Sequence, residues 1–396
     1  MSIRTAGLIL FGCLLFASCE RIVYLEDENA DEGPAGLVVF DESLIHRVEL
    51  FLSEADWQAI IEEAAAYENV NPKRPYYSAH MHFDGQVMDN DIGIRLKGHI
   101  SIDLSEDHSF PLKIDFNRYA DKQSFDGLKK LNLNNNFNGP VLPMVRDFIS
   151  YHAWGEFGVT APRTSFARVF VNGEDLGIYT LVEQVDGGFI KRHFPEPYGD
   201  LYKPEQISGT LEYKGPHISN YPDIGHKWPD ESDHSSLLHA LEVLDKGHAG
   251  DIGAVFNIES ILIYLAGNVA LGSFDYYPVT GHNYYLYEEH PGRFSMLPWD
   301  MNGSLELMGP EICSPLQGLL SRKLLEDPAL EARYFELLNE FLLTVGSEDH
   351  LNSRLNDAQR ILGEHIPAEE FEELRMEINT HHNNLKTEFE STPGCL

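Results

Sequence analysis

The sequence predicts an α+β fold, with a mainly β N-terminal half that carries a helix and a mainly α C-terminal half. Two observations lead there. Short apolar runs of period two, punctuated by turn signals, dominate up to about residue 186, and beyond residue 190 apolar side chains recur at helical spacing instead. A third observation breaks the pattern: an aromatic hairpin at 283–300 sits inside the helical half. Hydrophobic residues make up 43% of the 396, a normal globular share, so a core can form. The expected organisation is an export signal at 1–18, a flexible tether at 19–36, a first lobe at 37–186 and a second lobe at 187–396 containing the hairpin region 275–303.

Taken in order, residues 1–18 hold Arg4 and an apolar run from Ala6 to Phe16, followed by Ala17-Ser18 and then Cys19. The run is too short to anchor as a span, and small residues at its end suit a signal peptidase. Phe16-Ala17-Ser18-Cys19 resembles a bacterial lipobox, with Phe for the more usual Leu. That resemblance implies an acylated Cys19 holding the protein to the lipid bilayer of the bacterial cell envelope, because several buried acyl chains give lasting attachment. Cys13 falls in the removed segment. Residues 20–35 are polar and breaker-rich, as a tether requires.

A strand is expected at 46–52, then a helix capped by Ser53 with Trp57, Ile60 and Ile61 on its buried face. Residues 77–83, a turn at Asp84-Gly85 and residues 92–96 read as a hairpin that delivers Arg95, Lys97 and Gly98 into a loop. After a polar excursion, a strand at 110–116 carries Lys113. Helical spacing at 143–155 includes Val145, Phe148, Ile149 and His152. Two strands, 165–171 and 177–183, are joined through Asn172-Gly173-Glu174-Asp175, a hairpin signal.

In the second half, the Pro- and Gly-rich stretch 203–230 reads as a long loop, a lid or substrate loop, since long loops in compact domains tend to be functional. Helices are expected at 235–244 and 257–269, the second apolar enough to be central. Asp275 follows on a loop. Amphipathic helices at 319–325, 330–345, 351–362 and 369–389 are assigned to scaffolding.

The hairpin carries the chemistry. Asn283-Tyr284-Tyr285-Leu286-Tyr287 and Phe294-Ser295-Met296-Leu297-Pro298-Trp299-Asp300 flank a turn containing Pro291-Gly292. Antiparallel pairing brings the start of the first strand beside the end of the second, so Asn283 and Asp300 are expected side by side, with Asp275 upstream. Such oxygens suit Mg²⁺ carrying phosphates, because Mg²⁺ takes few protein ligands and completes its octahedron with water and substrate.

Charge narrows the partners. The formal charge is −34, from 63 acidic and 29 basic residues. That argues against nucleic acid, whose binding needs clustered Lys and Arg to displace counterions. A phosphate ligand would need a local basic island, because screening leaves near charges in control. A loop with Gly and cations followed by a strand with an embedded Lys could supply it. Cys313 and Cys395 could form a disulfide outside the cytosol, and no cysteine spacing suits zinc. His80, His82 and the pair His381-His382 lack carboxylates at ligand spacing, and no Gly-x-Ser-x-Gly elbow supports a serine hydrolase.

Three stretches together resemble the CotH family of atypical secretory protein kinases, first associated with bacterial spore coats. They are Ile94-Arg95-Leu96-Lys97-Gly98-His99-Ile100-Ser101, then Val171-Asn172-Gly173 with Leu176-Gly177-Ile178-Tyr179-Thr180-Leu181-Val182-Glu183, and finally Asp275 with His282-Asn283-Tyr284-Tyr285-Leu286-Tyr287 and Leu297-Pro298-Trp299-Asp300. The similarity spans roughly 45–390. It implies an atypical protein-kinase-like bilobal fold, ATP with Mg²⁺ or Mn²⁺ as cofactors, and phosphoryl transfer to Ser or Thr of another exported protein.

On this resemblance Arg95, Lys97 and Ser101 contact phosphates and Lys113 holds them. Asp275 acts as base, Asp300 binds the metal, and Asn283 assists as a metal or phosphate ligand. Glu183, at the end of a strand before two glycines, either marks a hinge that meets adenine or pairs with Lys113. Two features depart from the family pattern. Asp275 and Asn283 are eight residues apart, longer than in ordinary protein kinases, and Asn302 stands where the family more often has a second Asp. A surface binding module without turnover and a nucleotidyl transferase are the alternative readings.

Overall fold

The protein is described by a computed structural model in which residues 35–66, 74–98, 100–105, 107–139, 141–205, 209–307 and 309–396 are defined. All of these belong to the unit Ala35–Leu396. The signal, Cys19 and nearly all of the tether lie outside the described residues.

The first half comprises β1 (Ile45–Phe51), α1 (Glu54–Ala65), β2 (Tyr77–Phe83), β3 (Gln86–Val87), β4 (Ile92–Leu96), α2 (Ile100–Asp103), β5 (Leu112–Asp115), β6 (Lys130–Asn135), α3 (Pro143–Glu156), β7 (Thr164–Val171) and β8 (Glu174–Glu183). Ser53 caps α1 by accepting from the Asp56 N–H, and Trp57 and Ile60 are buried as expected. The strands run in the order β1-β7-β8-β6-β5-β4-β2, and β2 also pairs with β1. The sheet therefore closes on itself, with β3 appended to β2. Period-two alternation fills the interior with Leu50, Ile94, Leu112, Leu133 and Leu181. The same alternation turns Arg95, Lys113 and Asn132 outward.

Two local readings change. β6 was not expected, because its Leu131 and Leu133 alternate with Asn132 and Asn134, and Asn is depleted in strands. The β7–β8 connection tightens to Asn172-Gly173, with φ of 51° and 85°, so Glu174 and Asp175 belong to β8. Two consecutive positive φ angles are what a two-residue hairpin turn demands, and Asn-Gly supplies them at least cost.

The second half comprises α4 (Gly187–His193), β9 (Leu201–Pro204), β10 (Ile224–Trp228), α5 (Ser235–Lys246), α6 (Ala249–Val255), α7 (Ile258–Ala270), α8 (Tyr277–Thr280), β11 (Tyr284–His290), β12 (Arg293–Pro298), α9 (Leu319–Leu325), α10 (Pro328–Leu343), α11 (Glu348–Leu362) and α12 (Ala368–Ser391). Helix α7 is the central one, with Ile261, Leu262, Leu265 and Val269 fully buried. It approaches α3 so closely that a Cβ on Gly267 would run into the Trp154 ring.

The stretch 203–230 is not a loop throughout. Its ends form β9 and β10, which join the hairpin in a four-stranded antiparallel sheet ordered β10-β9-β11-β12. Leu286 pairs with Tyr202, and Gly225 with Lys203. The strand signal was weak because both strands are short and carry Lys, Pro or Gly.

Cys313 and Cys395 form a disulfide, with Cα atoms 5.4 Å apart. It closes a loop of 82 residues and ties the end of the chain to the helical lobe. In the chain-entropy treatment a loop of this length contributes about 4 to 5 kcal/mol. Cys395→Ser is accordingly expected to lower the calorimetric unfolding temperature, and an unchanged midpoint would contradict that contribution.

Candidate active site

A cleft of about 1330 Å³ opens against the outer face of the barrel, and β9, β10 and the open end of the β11–β12 hairpin complete it. Eight Lys and Arg side chains and five carboxylates line it. On a chain of net charge −34 this is a reversal of sign.

The barrel wall supplies a row of polar groups. Arg95 on β4 is the cross-strand partner of Lys113 on β5, which is the partner of Asn132 on β6. Like charges placed directly opposite each other destabilise a sheet, so this pair costs stability unless an anion lies over it. Lys113 Nζ donates to Gln184 Oε1, and Asn132 Nδ2 donates to the same oxygen at 3.2 Å. Gln184 Nε2 then donates to Tyr285 Oη at 3.0 Å, joining wall to hairpin.

Beyond β4, the Lys97 N–H is fixed on Pro111 O at 3.0 Å. Gly98 follows at φ +76°, and a Cβ there would collide with Ser101 Oγ. Lys97 Nζ donates to Asn134 Oδ1. Lys97 and Lys203 also lie 5.7 and 5.8 Å from the centre of the Trp299 ring. The attraction of each cation to the aromatic ring partly offsets their mutual repulsion.

Electrostatics sharpen the picture. Burial pushes Lys97 below the usual lysine range, against the attraction of Asp300 and Asp147. Burial pushes Lys113 well below it, and the repulsion of Arg95, Lys130, Lys97 and Lys203 adds to the fall. Lys227 is lowered by burial and then by Lys203. Burial works against the charge of Lys203 too, yet Glu205, 2.8 Å away, holds it above the usual range. This crowd of cations is unfavourable in isolation and becomes favourable around a polyanion.

The opposite side of the cleft carries the carboxylates. The last pair of the hairpin is Tyr284 with Pro298, so Asp300 lies one residue beyond the position facing Asn283. Both residues are left-handed, at φ 61° and 59°, which Asn and Asp tolerate better than other side chains. Asn283 Nδ2 donates to Asp275 O at 2.8 Å and to Asp275 Oδ2 at 3.0 Å. With its nitrogen committed, the Asn283 amide oxygen is the group left for a cation. His282 Nδ1 stands 3.7 Å from Asp275 Oδ1.

Among the described residues no hydrogen bond or ion pair holds the Asp300 carboxylate, whereas the backbone around it is held firmly. The Asp300 N–H donates to Tyr151 Oη at 2.9 Å, and the Met301 N–H to Asp147 Oδ1 at 3.1 Å. Burial and then Asp300 push Asp147 up to about 7. Mg²⁺ fits this donor set, because it needs only one or two protein oxygens beside water and phosphate. Among the described residues there is no cluster of three His, Cys, Asp or Glu able to hold a metal by itself.

Arg95, Lys97, Ser101, Lys113, Asp275, Asn283 and Asp300 therefore all line one cleft. Glu183 does not, and its pairing with Lys113 is corrected. It is fully buried, with Arg163 Nη2 at 2.7 Å and Arg192 Nη2 at 2.5 Å from its Oε1. Burial alone would raise its pKa, but His193, Arg163 and Arg192 hold the carboxyl far below its ordinary value. The next residue, Gln184, projects to the opposite side and takes the contact with Lys113.

Sequence reasoning missed Asn132, Asn134, Gln184, Lys203 and Lys227. The Leu131/Leu133 alternation was the available signal for the first two. Nothing local marked Lys203, which reaches the cleft through the pairing of β9 with β11. His80 and His82 lie 3.6 Å from Asp91 and 4.0 Å from Glu49, as side-chain pairs on the barrel surface.

A family model described as CotH kinase protein matches residues 94–393. The inner spore coat protein H of Bacillus subtilis (strain 168) is 22% identical over 260 residues, covering 59% of this chain and 67% of that protein. The crystal structure of the Helicobacter pylori proinflammatory kinase CtkA aligns with a TM-score of 0.35 and 6% identity, over 82% of this chain and 95% of that one, a likeness too distant to transfer residues.

Proposed function

The chain belongs to the CotH kinase family, and from that premise we propose that it transfers the γ-phosphoryl group of ATP to a Ser or Thr hydroxyl of another exported or surface protein. The observation that carries this reading is the gathering of Arg95, Lys97, Lys113, Lys203 and Lys227 in one cleft of a strongly acidic chain, facing Asp275, Asn283 and Asp300.

Lys97, Lys113 and Arg95 would hold the phosphates, with Ser101 and the Gly98 turn shaping the approach. Asp300 and the Asn283 amide oxygen would hold Mg²⁺ or Mn²⁺, which when bound neutralises charge on the transferring group. Asp275 would take the proton of the acceptor hydroxyl as its oxygen bonds to the γ-phosphorus. The bond from that phosphorus to the bridging oxygen breaks, and ADP leaves. Positioning and charge neutralisation supply most of the rate in this chemistry.

Asn302 lines the cleft where a second carboxylate would strengthen metal binding, and this favours a second reading, a surface module that binds nucleotide without transfer. Incubating the purified protein with ATP, Mg²⁺ or Mn²⁺ and candidate exported proteins, followed by mass spectrometry, separates the cases. Phosphate on Ser or Thr supports the kinase, AMP on the acceptor supports nucleotidyl transfer, and tight nucleotide binding without either supports the binding module.

Among the described residues no helix is long and apolar enough to cross a membrane. We propose attachment to the cell envelope through an acylated Cys19, on the lipobox-like Phe16-Ala17-Ser18-Cys19. Cys19→Ser should abolish metabolic palmitate labelling, and labelling that persists would refute the anchor.

A further inference from the structure

The reaction proposed above assigns no role to α3, yet this helix presents an unusual concentration of buried polar side chains. Arg146, Asp147 and Ser150 are fully buried, and Tyr151 is 3% exposed. Buried polar groups of this kind persist when each is hydrogen-bonded, and here their partners converge on one short segment. Arg146 Nη1 donates to Ser304 O at 2.6 Å, and Ser150 Oγ lies 2.6 Å from Ser304 Oγ. Asp147 and Tyr151, one helical turn apart, take the N–H groups of Met301 and Asp300. Arg146, Asp147 and Tyr151 thus hold the backbone of 300–304 and Ser150 holds the Ser304 hydroxyl, on the segment that starts with the metal-binding carboxylate and passes through the left-handed φ of Asp300.

The chain of bonds continues to the other side of the cleft. Asp147 Oδ2 accepts from Asn134 Nδ2 at 2.7 Å, and Asn134 Oδ1 accepts from Lys97 Nζ. Every link has one donor and one acceptor, and the donations converge on Asp147: Lys97 donates to Asn134, Asn134 to one Asp147 oxygen and the Met301 N–H to the other, which makes one continuous relay. One end is a lysine that faces the phosphates; the other is the peptide that aims Asp300.

Resting on the kinase reading, we propose that α3 is the positioning element of the transfer reaction: Tyr151 and Asp147 fix the Asp300–Met301 peptide, and Asn134 links that fix to Lys97. The phosphate-holding lysine and the metal-binding carboxylate are then oriented by one network. None of Asn134, Asp147 and Tyr151 need touch the nucleotide. Asp300 owes its unpartnered, forward-facing carboxylate to them, because with its N–H satisfied from behind, the left-handed turn is held without any bond to the carboxylate itself.

The test uses Mn²⁺ as the probe metal and a non-hydrolysable ATP analogue, so the readout is binding. Tyr151→Phe keeps the buried ring and removes only the Oη acceptor. It should weaken Mn²⁺ binding in the presence of the analogue about tenfold, the scale of one lost hydrogen bond, while the affinity for the analogue without metal stays within about twofold. A role confined to packing would lower the unfolding temperature and leave Mn²⁺ affinity alone.

A second set of variants guards against simple unfolding. Asp147→Asn places two amide donors against each other and should also weaken Mn²⁺ binding. Adding Asn134→Asp restores a donor and an acceptor at each link, with the carboxylate now on β6, and should recover most of the loss. If wild type binds Mn²⁺ with the analogue and Tyr151→Phe binds it equally well, the relay is refuted and the kinase reading stands. If wild type binds no Mn²⁺ with the analogue, the kinase reading falls and the relay built on it falls too.

Discussion

Asp300→Ala is expected to lose Mg²⁺-dependent ATP binding and transfer together. The carboxylate faces the cleft, and among the described residues nothing else bonds to it, so its removal leaves the Asn283 amide oxygen as the main protein ligand. Even loss of groups behind a metal ligand lowers affinity about 10- to 100-fold, so losing the ligand itself should exceed 100-fold. Removing the negative charge also unbalances Lys97, whose ammonium Asp300 favours. Isothermal titration with ATP, with and without Mg²⁺, reads the effect. Metal-free binding should persist, because the lysines remain, and a variant that binds Mg·ATP like wild type would refute the assignment.

Asp275→Asn should have a different signature. The Asp275 carboxylate is 37% exposed at the mouth of the cleft, where an acceptor hydroxyl can approach. Its Oδ2 already accepts from Asn283 at 3.0 Å, an arrangement an amide oxygen can reproduce, so the metal side of the site should survive the change. What is lost is the capacity to accept a proton. Turnover should fall by roughly 10²- to 10⁴-fold, the usual scale for a general base, with the affinity for Mg·ATP unchanged. Parallel titration and phosphate-incorporation assays decide it. Loss of nucleotide affinity in step with turnover would move Asp275 from base to ligand.

The parts of the site that were legible in the sequence lie on elements with strong local preference. Aromatic and β-branched runs around Pro291-Gly292 specify the hairpin, and its pairing puts Asn283 and Asp300 at one end. The hairpin of β2 with β4 likewise delivers Arg95 and Lys97. What was not legible depended on register or on distant pairing. Glu183 and Gln184 differ by one position, and a strand sends neighbours to opposite faces, so one became a buried ion-pair hub and the other the partner of Lys113. Closure of the barrel through β1 and β2 cannot be read from either strand alone. Lys203 and Lys227 enter the cleft only because β9 and β10 extend the sheet of a hairpin some sixty residues or more away in the chain.

A protein tethered to an envelope would be confined to two dimensions, where neighbouring copies meet far more often than they would in free solution. Exposed strand edges are hazardous in such company, because each unpaired row of N–H and C=O groups can template a partner's strand. Among the described residues, the pairing of β1 with β2 at 48–51 and 80–83 closes the seven-stranded ring. In the second sheet the outer side of β12 is occupied: the Asn257 N–H donates to Phe294 O at 2.8 Å, and Ser260 Oγ bonds both the Met296 N–H and the Met296 carbonyl. The remaining edge, β10, is five residues long and carries Lys227, a charge that resists strand addition. Covered and charged edges of this kind disfavour strand addition between copies.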